Sequence, residues 1–369
     1  MTRKIGSDTD ILCLCTPHST GGAQGNAARL TLGFRERGYK AALGFLFEVE
    51  PNARHGVTDY FVISENKPKT PLQWWRFIAR CHSEISRRRP HVVIGFHPLA
   101  NIIGALTAGA RRKFISRQAW PAHEQSTGTE RIEAFLGRTP LVYANIAVSR
   151  FVADSFSHRG EVYARKTTVI YNSPPVLPTI DEDVATCRKM LEIRWGAPVL
   201  GCIGRLHEQK NFQLAIRAMA HVPGAHLYIA GGGPQEEMLR ALAVKEGVAP
   251  RVHFLGALSG TDVSRFYLAV DLLLMPSLYE GHPLVMLEAM SAGAPVFAHD
   301  VPVMREAGND SVLYASDDPV EWGRIITAVD EPARQKLIAS GRSRAAHFAQ
   351  SSMVDEYLKV VGLPQYKAV

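Results

Sequence analysis

Two doubly wound α/β domains are the fold this sequence predicts, and three observations predict it. Short apolar runs alternate with helix-forming stretches along the chain, several runs end in glycine turns, and a proline-rich break falls near the middle. The length agrees. A chain of 369 residues exceeds the usual single core, and 46% hydrophobic residues is ample for two.

The N-terminal half opens on Ile11-Leu-Cys-Leu-Cys-Thr16, a first strand. Gly21-Gly22 then starts a helix through Asn26 and Leu30 to Gly38, where a glycine suits the C-terminal cap. Ala41–Phe47 reads as a second strand, and Val92–Phe96 as a later one after a long helix. Phe114–Ser116, Ile146–Ser149 and Thr168–Tyr171 add shorter strands. This alternation predicts parallel sheets that bind ligands at the carboxyl ends of their strands. Tyr171–Pro178 is proline-rich and continues neither element, so the domains are expected to span 1–172 and 177–350.

Charge is uneven. Residues 1–180 hold 24 Lys and Arg against 13 Asp and Glu, whereas residues 181–369 hold 18 against 22. A basic N-terminal half suggests an anionic surface or acceptor on that side. Nucleic acid is a poor alternative, since no recognised binding motif accompanies the charge. No run of 18 apolar residues predicts a membrane span, and Met1–Asp10 is charged and unlike a cleavable signal. Cys13, Cys15, Cys81, Cys187 and Cys202 are odd in number and lack metal-ligand spacing, so they read as reduced core residues of a cytosolic protein.

The most informative segment is Glu280-Gly-His-Pro-Leu-Val-Met-Leu-Glu288. It follows the apolar run Asp271–Ser277 and leads into a helix ending at Gly293. Glu280 thus falls on a strand-to-helix loop and Glu288 in the first turns of the helix. The N-terminus of a helix suits a diphosphate, and a carboxylate beside that anion needs another task, such as accepting hydrogen bonds from sugar hydroxyls. A nucleotide-sugar site fits. Spacing alone would equally describe two solvated glutamates on an amphipathic helix.

Further segments shift that balance. Val199-Leu-Gly-Cys-Ile-Gly204-Arg205 is a strand with Lys210 five residues beyond the arginine and a helix from about Phe212. Leu227–Ala230 runs into Gly231-Gly232-Gly233-Pro234, and Arg251–Gly256 is a third strand-like run. With Glu280, Glu288, Ser291–Val296 and Asp300–Asp310, these pieces resemble the C-terminal half of glycosyltransferase family 4, whose members are retaining GT-B enzymes. The resemblance spans roughly Val199 to Asp318, with a weaker echo in the N-terminal half. Each piece alone is common; five in the family's order are specific.

The resemblance implies two Rossmann-like domains facing across a cleft, with a C-terminal helix, about 352–369, packed back on the first. It implies that Arg205 and Lys210 contact the donor diphosphate, that Glu288 holds the ribose hydroxyls, and that Glu280 lies near the donor sugar. The competing reading of Arg205 and Lys210 is a surface ion pair with Glu208. Gly281, His282 and Leu284 are expected to offer backbone N–H groups to the donor, while Pro283 has none. His282 stands where the family often has phenylalanine, and fits either as a sugar contact or as a replacement for that ring's bulk. Gly231 to Pro234 are expected to shape the turn bordering the nucleotide, where a side chain would block close backbone approach, and Gly204, Gly231 and Gly232 are counted with the donor-binding residues. Phe254 to Gly256 resemble the segment whose backbone reads the base.

In the N-terminal half, Gly21-Gly22 resembles the family's glycine loop over the diphosphate and sugar, and fits a plain strand-to-helix turn equally well. The clearest departure follows Phe114–Ser116, where the family often has a histidine near the donor sugar. Gln118 falls in that place; it could bond a sugar hydroxyl but not act as acid or base. His123 could substitute if the loop folds back. Trp74-Trp75-Arg76-Phe77-Ile78-Ala79-Arg80, continuing to Arg89, forms an aromatic, basic helix with Trp74, Phe77, Ile78, Cys81 and Ile85 on one face. Such a helix either packs on the sheet or rests on an anionic membrane surface.

The expectation is therefore a retaining, metal-independent hexosyltransferase without cofactor, cytoplasmic or peripheral on the membrane. It would move a sugar from a nucleotide-diphospho-sugar, UDP before GDP, to a sugar or lipid-linked acceptor in polysaccharide, glycolipid or glycoconjugate synthesis. Two rivals remain: a sugar-nucleotide epimerase or hydrolase on the same fold, and a non-catalytic scaffold subunit.

Overall fold

The computed structural model describes residues 9–364, apart from 19–20, 51–55, 110, 195 and 197. The expectations for residues 1–8 and for the last five residues of the C-terminal helix lie outside the described residues. The chain divides into two compact units, Met1–Pro175 with Ala349–Val369, and Val176–Phe348.

The first unit is built on seven parallel strands, β1 (Ile11–His18), β2 (Ala41–Glu48), β3 (Tyr60–Ser64), β4 (Val92–Phe96), β5 (Lys113–Gln118), β6 (Ala144–Ala147) and β7 (Thr167–Val169). Their order is β3-β2-β1-β4-β5-β6-β7. Alternating side chains of β1 show why helices cover both faces. Ile11, Cys13 and Cys15 pack with the helices Gly22–Glu36 and Gln350–Val361, whereas Leu12 and Leu14 pack with Pro71–Arg88 and Pro98–Ala108. The helices of the first face approach closely. A Cβ on Gly33 would stand 2.4 Å from Val354 Cγ2, and Arg37 pairs with Asp355 at 2.8 Å.

The helix Pro71–Arg88 is started by a capping box in which the Thr70 hydroxyl accepts from the Gln73 amide, while Gln73 accepts from the Thr70 amide. It packs on the sheet through Phe77, Cys81 and Ile85. Ile78 does not join them. It is 37% exposed, on the outward side with Leu72 and Trp75. The strand β3 and the early start of β6 are further differences from expectation; β6 ends at Ala147 rather than Ser149.

The second unit carries six parallel strands, β8 (Val199–Ile203), β9 (His226–Ala230), β10 (Val252–Gly256), β11 (Leu272–Met275), β12 (Val296–His299) and β13 (Leu313–Ala315). Their order is β10-β9-β8-β11-β12-β13. Trp322, fully buried, packs its ring 4.2 Å from that of Phe297 and donates its indole N–H to the Ser316 carbonyl at 2.7 Å.

Between Tyr171 and Pro178 the chain forms neither helix nor strand. It is nonetheless anchored. Asn172 accepts from Asn26 Nδ2 at 2.7 Å and from Arg117 Nη2 at 2.5 Å, and Arg29 donates to the Ser173 carbonyl at 3.0 Å. All five cysteines are buried and unbridged. Among the described residues no helix is long and apolar enough to cross a membrane.

Candidate functional site

In a parallel sheet, loops leaving two neighbouring strands diverge to opposite faces where the strand order reverses, and a crevice opens at their carboxyl ends. In the second unit that reversal lies between β8 and β11. After β8 the chain turns at Gly204 (φ 148°), passes Arg205, and makes a short 3-10 turn at Glu208–Lys210 before the helix Phe212–Ala218. After β11 it passes Tyr279 and Glu280 and enters the helix Leu284–Ala292 at Pro283.

These two loops are tied together. The Leu278 amide donates to the Gln209 carbonyl at 2.9 Å, and Lys210 Nζ lies 2.6 Å from Glu280 Oε1. Gln209 Nε2 donates to Glu280 Oε2 at 3.3 Å and to the Tyr279 carbonyl at 3.0 Å. Glu280 is only 7% exposed, and both of its oxygens are engaged. A buried carboxylate needs such compensation. The Lys210 stem runs past Gly204, where a Cβ would stand 3.4 Å from Lys210 Cε. Arg205 is exposed, and among the described residues no ion pair joins it to Glu208 or to any other carboxylate.

Glu288 lies one turn into its helix, half-buried, and its Oε2 accepts from the Tyr267 hydroxyl at 3.0 Å. Burial, and then the charge of Glu288, hold the Tyr267 phenol well above its usual pKa, so it remains a donor. The description of Glu280 and Glu288 as two solvated glutamates is thereby removed.

The glycines serve the loops themselves. A Cβ on Gly231 would stand 1.8 Å from the Gly204 carbonyl oxygen, and one on Gly233 2.5 Å from that of Leu206. At Gly231 the close approach that excludes a side chain is between the β8 and β9 loops. The Gly232 position faces open space. The Gly231 amide donates to the Gly256 carbonyl at 2.7 Å, so the backbone after Phe254 is partly spent on the fold. The Phe254 ring lies 4.3 Å beneath the Arg240 guanidinium. Gly281 is buried, and His282 packs its buried ring 5.3 Å from that of Phe348, as a residue filling space would. Leu284 corrects another expectation: its N–H donates to the His282 carbonyl at 2.9 Å.

In the first unit the order reverses between β1 and β4, with Gly21-Gly22 following β1. Gly21 is extended (φ 176°) and Gly22 begins the helix, so neither needs glycine for its backbone; a Cβ on Gly22 would meet open space. Gln118 does not reach outward. Its Nε2 donates to Ser116 Oγ at 3.0 Å and to Glu133 Oε1 at 3.2 Å, and its Oε1 accepts from Gln125 at 3.2 Å. Glu133 also accepts from Asn101 Nδ2 at 2.7 Å, so this buried network uses the whole amide of Gln118. The loop of His123 does not fold back: its side chain is 60% exposed, 3.7 Å from Glu124.

Sequence reasoning missed Gln209, Tyr267 and His97. The first two act on residues 71 and 21 positions away, which no local pattern announces. His97 follows β4 directly and has φ 79°, and the strand–His–Pro98–helix sequence was the available signal. A cavity of about 900 Å³ runs along β3, lined by Glu48, Tyr60, Ser64 and Arg80 among others, and none of the candidate residues borders it.

The two sheets and their crevices define the GT-B class. Anabaena HepE, solved with UDP and glucose, superposes with a TM-score of 0.83 at 20% identity, covering 96% of this chain and 99% of that one. Residues 197–329 match the family Glycosyl transferases group 1. D-inositol 3-phosphate glycosyltransferase of Mycobacterium marinum is 34% identical over 182 residues, 46% of this chain and 38% of that protein. The lipopolysaccharide core biosynthesis glycosyltransferase LpsE of Rhizobium meliloti is 31% identical over 185 residues, 48% and 54% of the two chains. The chain thus spans about half or less of the length of these curated relatives.

The Glu133 network yields a pH test. Burial, outweighing its Asn101 and Gln118 donors, raises the Glu133 pKa. A carboxyl raised in the folded state contributes its stability below the unfolded value, about 4.3, and loses it as pH rises through the folded value. Glu133→Gln keeps an oxygen for both donors and removes the charge. It should exceed the wild type at pH 8 by about 1 kcal/mol in thermal unfolding, with the gap closing near pH 4. A gap independent of pH would contradict the assignment.

Proposed function

We propose that the protein is a glycosyltransferase that takes a nucleotide-diphospho-sugar on its second unit and an acceptor hydroxyl on its first. The observation carrying this reading is the Lys210–Glu280 pair where the strand order reverses between β8 and β11, with Arg205 on the same loop as Lys210 and, among the described residues, in no ion pair. An anion reaching it would meet a net positive charge without having to displace a carboxylate from open water. Glu288, oriented by Tyr267, suits the ribose hydroxyls. The curated relatives are named as glycosyltransferases, and UDP occupies HepE, which favours UDP over GDP as the nucleotide here.

The proposed reaction is a same-face displacement that retains configuration. The anomeric C–O bond to the diphosphate breaks, a C–O bond to the acceptor oxygen forms, and the acceptor proton passes to the departing diphosphate. Arg205 and Lys210 stabilise the charge that develops on that leaving group. Glu280, held by Lys210 and Gln209, orients the lysine and lies ready for sugar hydroxyls. These two cations do the neutralising, so we propose a reaction independent of added metal.

With a UDP-sugar and a screened acceptor, Lys210→Ala and Glu288→Ala should each lower kcat/KM by about 10²–10³ while circular dichroism is unchanged. NMR should find the product anomer retained, and EDTA should leave the rate intact. Near-full activity of either variant removes that residue from the site. Cleavage without transfer would indicate a hydrolase, and nucleotide binding without turnover a scaffold.

We further propose peripheral contact with an anionic membrane through the outward side of helix Pro71–Arg88, where Leu72 and Trp75 are exposed beside Arg76 and Arg80. Anionic vesicles should pellet the wild type, and Trp75→Glu should reduce this severalfold. Equal pelleting with neutral vesicles, or no effect of the substitution, would refute the contact.

A further inference from the structure

His97 carries two unusual features at one position. It is the residue immediately after β4, at the carboxyl end of the strand beside which the order of the first sheet reverses. Its backbone has φ 79° and ψ 153°, a region that only glycine occupies at ease. Its imidazole Nδ1 is buried and makes no hydrogen bond of acceptable geometry. Strain and an unpaired ring nitrogen are both unfavourable, and nothing in the packing of the first unit explains why this position is not glycine.

The surroundings narrow the chemistry. The Asn101 side-chain amide is taken by the Arg117 carbonyl and Glu133, so it cannot turn to the ring. Burial foremost, and then the Arg117 guanidinium, push the imidazole down to about 4, against an opposing pull from the Phe96 backbone. At neutral pH the ring is therefore uncharged, with one nitrogen as donor and the other as acceptor. A phosphate would call for a cation. A neutral imidazole instead matches a group that both donates and accepts, and the alcohol of a carbohydrate does both.

We propose that His97 is the carbohydrate-contacting side chain of the first unit, its imidazole hydrogen-bonding a hydroxyl of the sugar bound at the carboxyl end of β4. The histidine that the family resemblance places after β5 is replaced here by Gln118, which is fully engaged within the fold. The imidazole enters instead from the neighbouring strand, one position before Pro98, whose fixed φ starts the next helix. This inference rests on the transferase reading, and the hydroxyl belongs either to the donor sugar or to the acceptor.

The decisive variant is His97→Gly, which relaxes the backbone and deletes the ring. It should melt higher than the wild type while kcat/KM falls about tenfold or more, and UDP affinity should stay the same, because the nucleotide is held by the second unit. Loss of the extra affinity of the UDP-sugar over UDP assigns the hydroxyl to the donor, and a raised acceptor KM alone assigns it to the acceptor. Unchanged kinetics and affinities would overturn the proposal and leave the transferase reading standing. Failure of the wild type to bind any nucleotide overturns both. Should His97→Gly not fold, the wild type labelled at histidine nitrogen serves: a His97 ring-nitrogen resonance must shift on adding UDP-sugar or acceptor, and two unmoved resonances in the saturated complex refute the contact.

Discussion

The ion pair between Lys210 and Glu280, 2.6 Å apart across 70 residues of sequence, is the contact on which the site of the second unit depends. It exists because β8 and β11 are neighbours at the point where the strand order reverses. Their loops leave toward helices on opposite faces, so a cation from one meets a carboxylate from the other. Without the lysine, Glu280 would be a buried carboxylate held by one glutamine; without the glutamate, the lysine would lose the partner that fixes its stem over Gly204. Arg205, on the same loop as the lysine, makes no ion pair among the described residues.

Around this contact the backbone is packed without slack. Gly204, Gly231 and Gly233 bring the β8 and β9 loops so near that a methyl group at Gly231 would overlap a carbonyl oxygen. The first unit handles polar groups in another way. Arg117, fully buried, reaches the Asn172 side chain where the chain leaves the sheet, and Glu133 collects Asn101 and Gln118. These networks set the ends of β4 and β5, beside which His97 lies.

Much of the fold was legible because apolar runs ending in glycine turns are local signals. The strands β1, β2, β4, β8, β9 and β11 were read from their apolar runs, β8 and β9 also from the glycines that end them, and two Rossmann-like sheets of the GT-B class agree with that reading. What escaped depends on tertiary context. Tyr60–Ser64 is short and lacks a glycine turn, so β3 left no mark. Ile78 has helical spacing compatible with the inward face but sits at its margin, and only packing against the sheet decides which side is covered. Gln118 lay where a sugar contact was expected, yet its partners come from Glu133 and Gln125, residues that only the folded chain brings near. The Gly231 turn was read correctly as intolerant of a side chain, and the group that excludes it proved to be another loop. The strand–His–Pro98–helix sequence marks the position of His97, but its positive φ and unpaired ring nitrogen are visible only in the folded chain.

The account stands on the second unit being a nucleotide-diphosphate site, and thermal unfolding with UDP and GDP, on the wild type and Glu288→Ala, tests it most directly. A ligand that binds only the folded state at a hundred times its Kd adds about 2.7 kcal/mol, or roughly 5–10 °C in melting temperature. The account predicts such a rise for the wild type with one nucleotide, UDP before GDP, and its loss in Glu288→Ala. No rise with either nucleotide, or an equal rise in the variant, would contradict it.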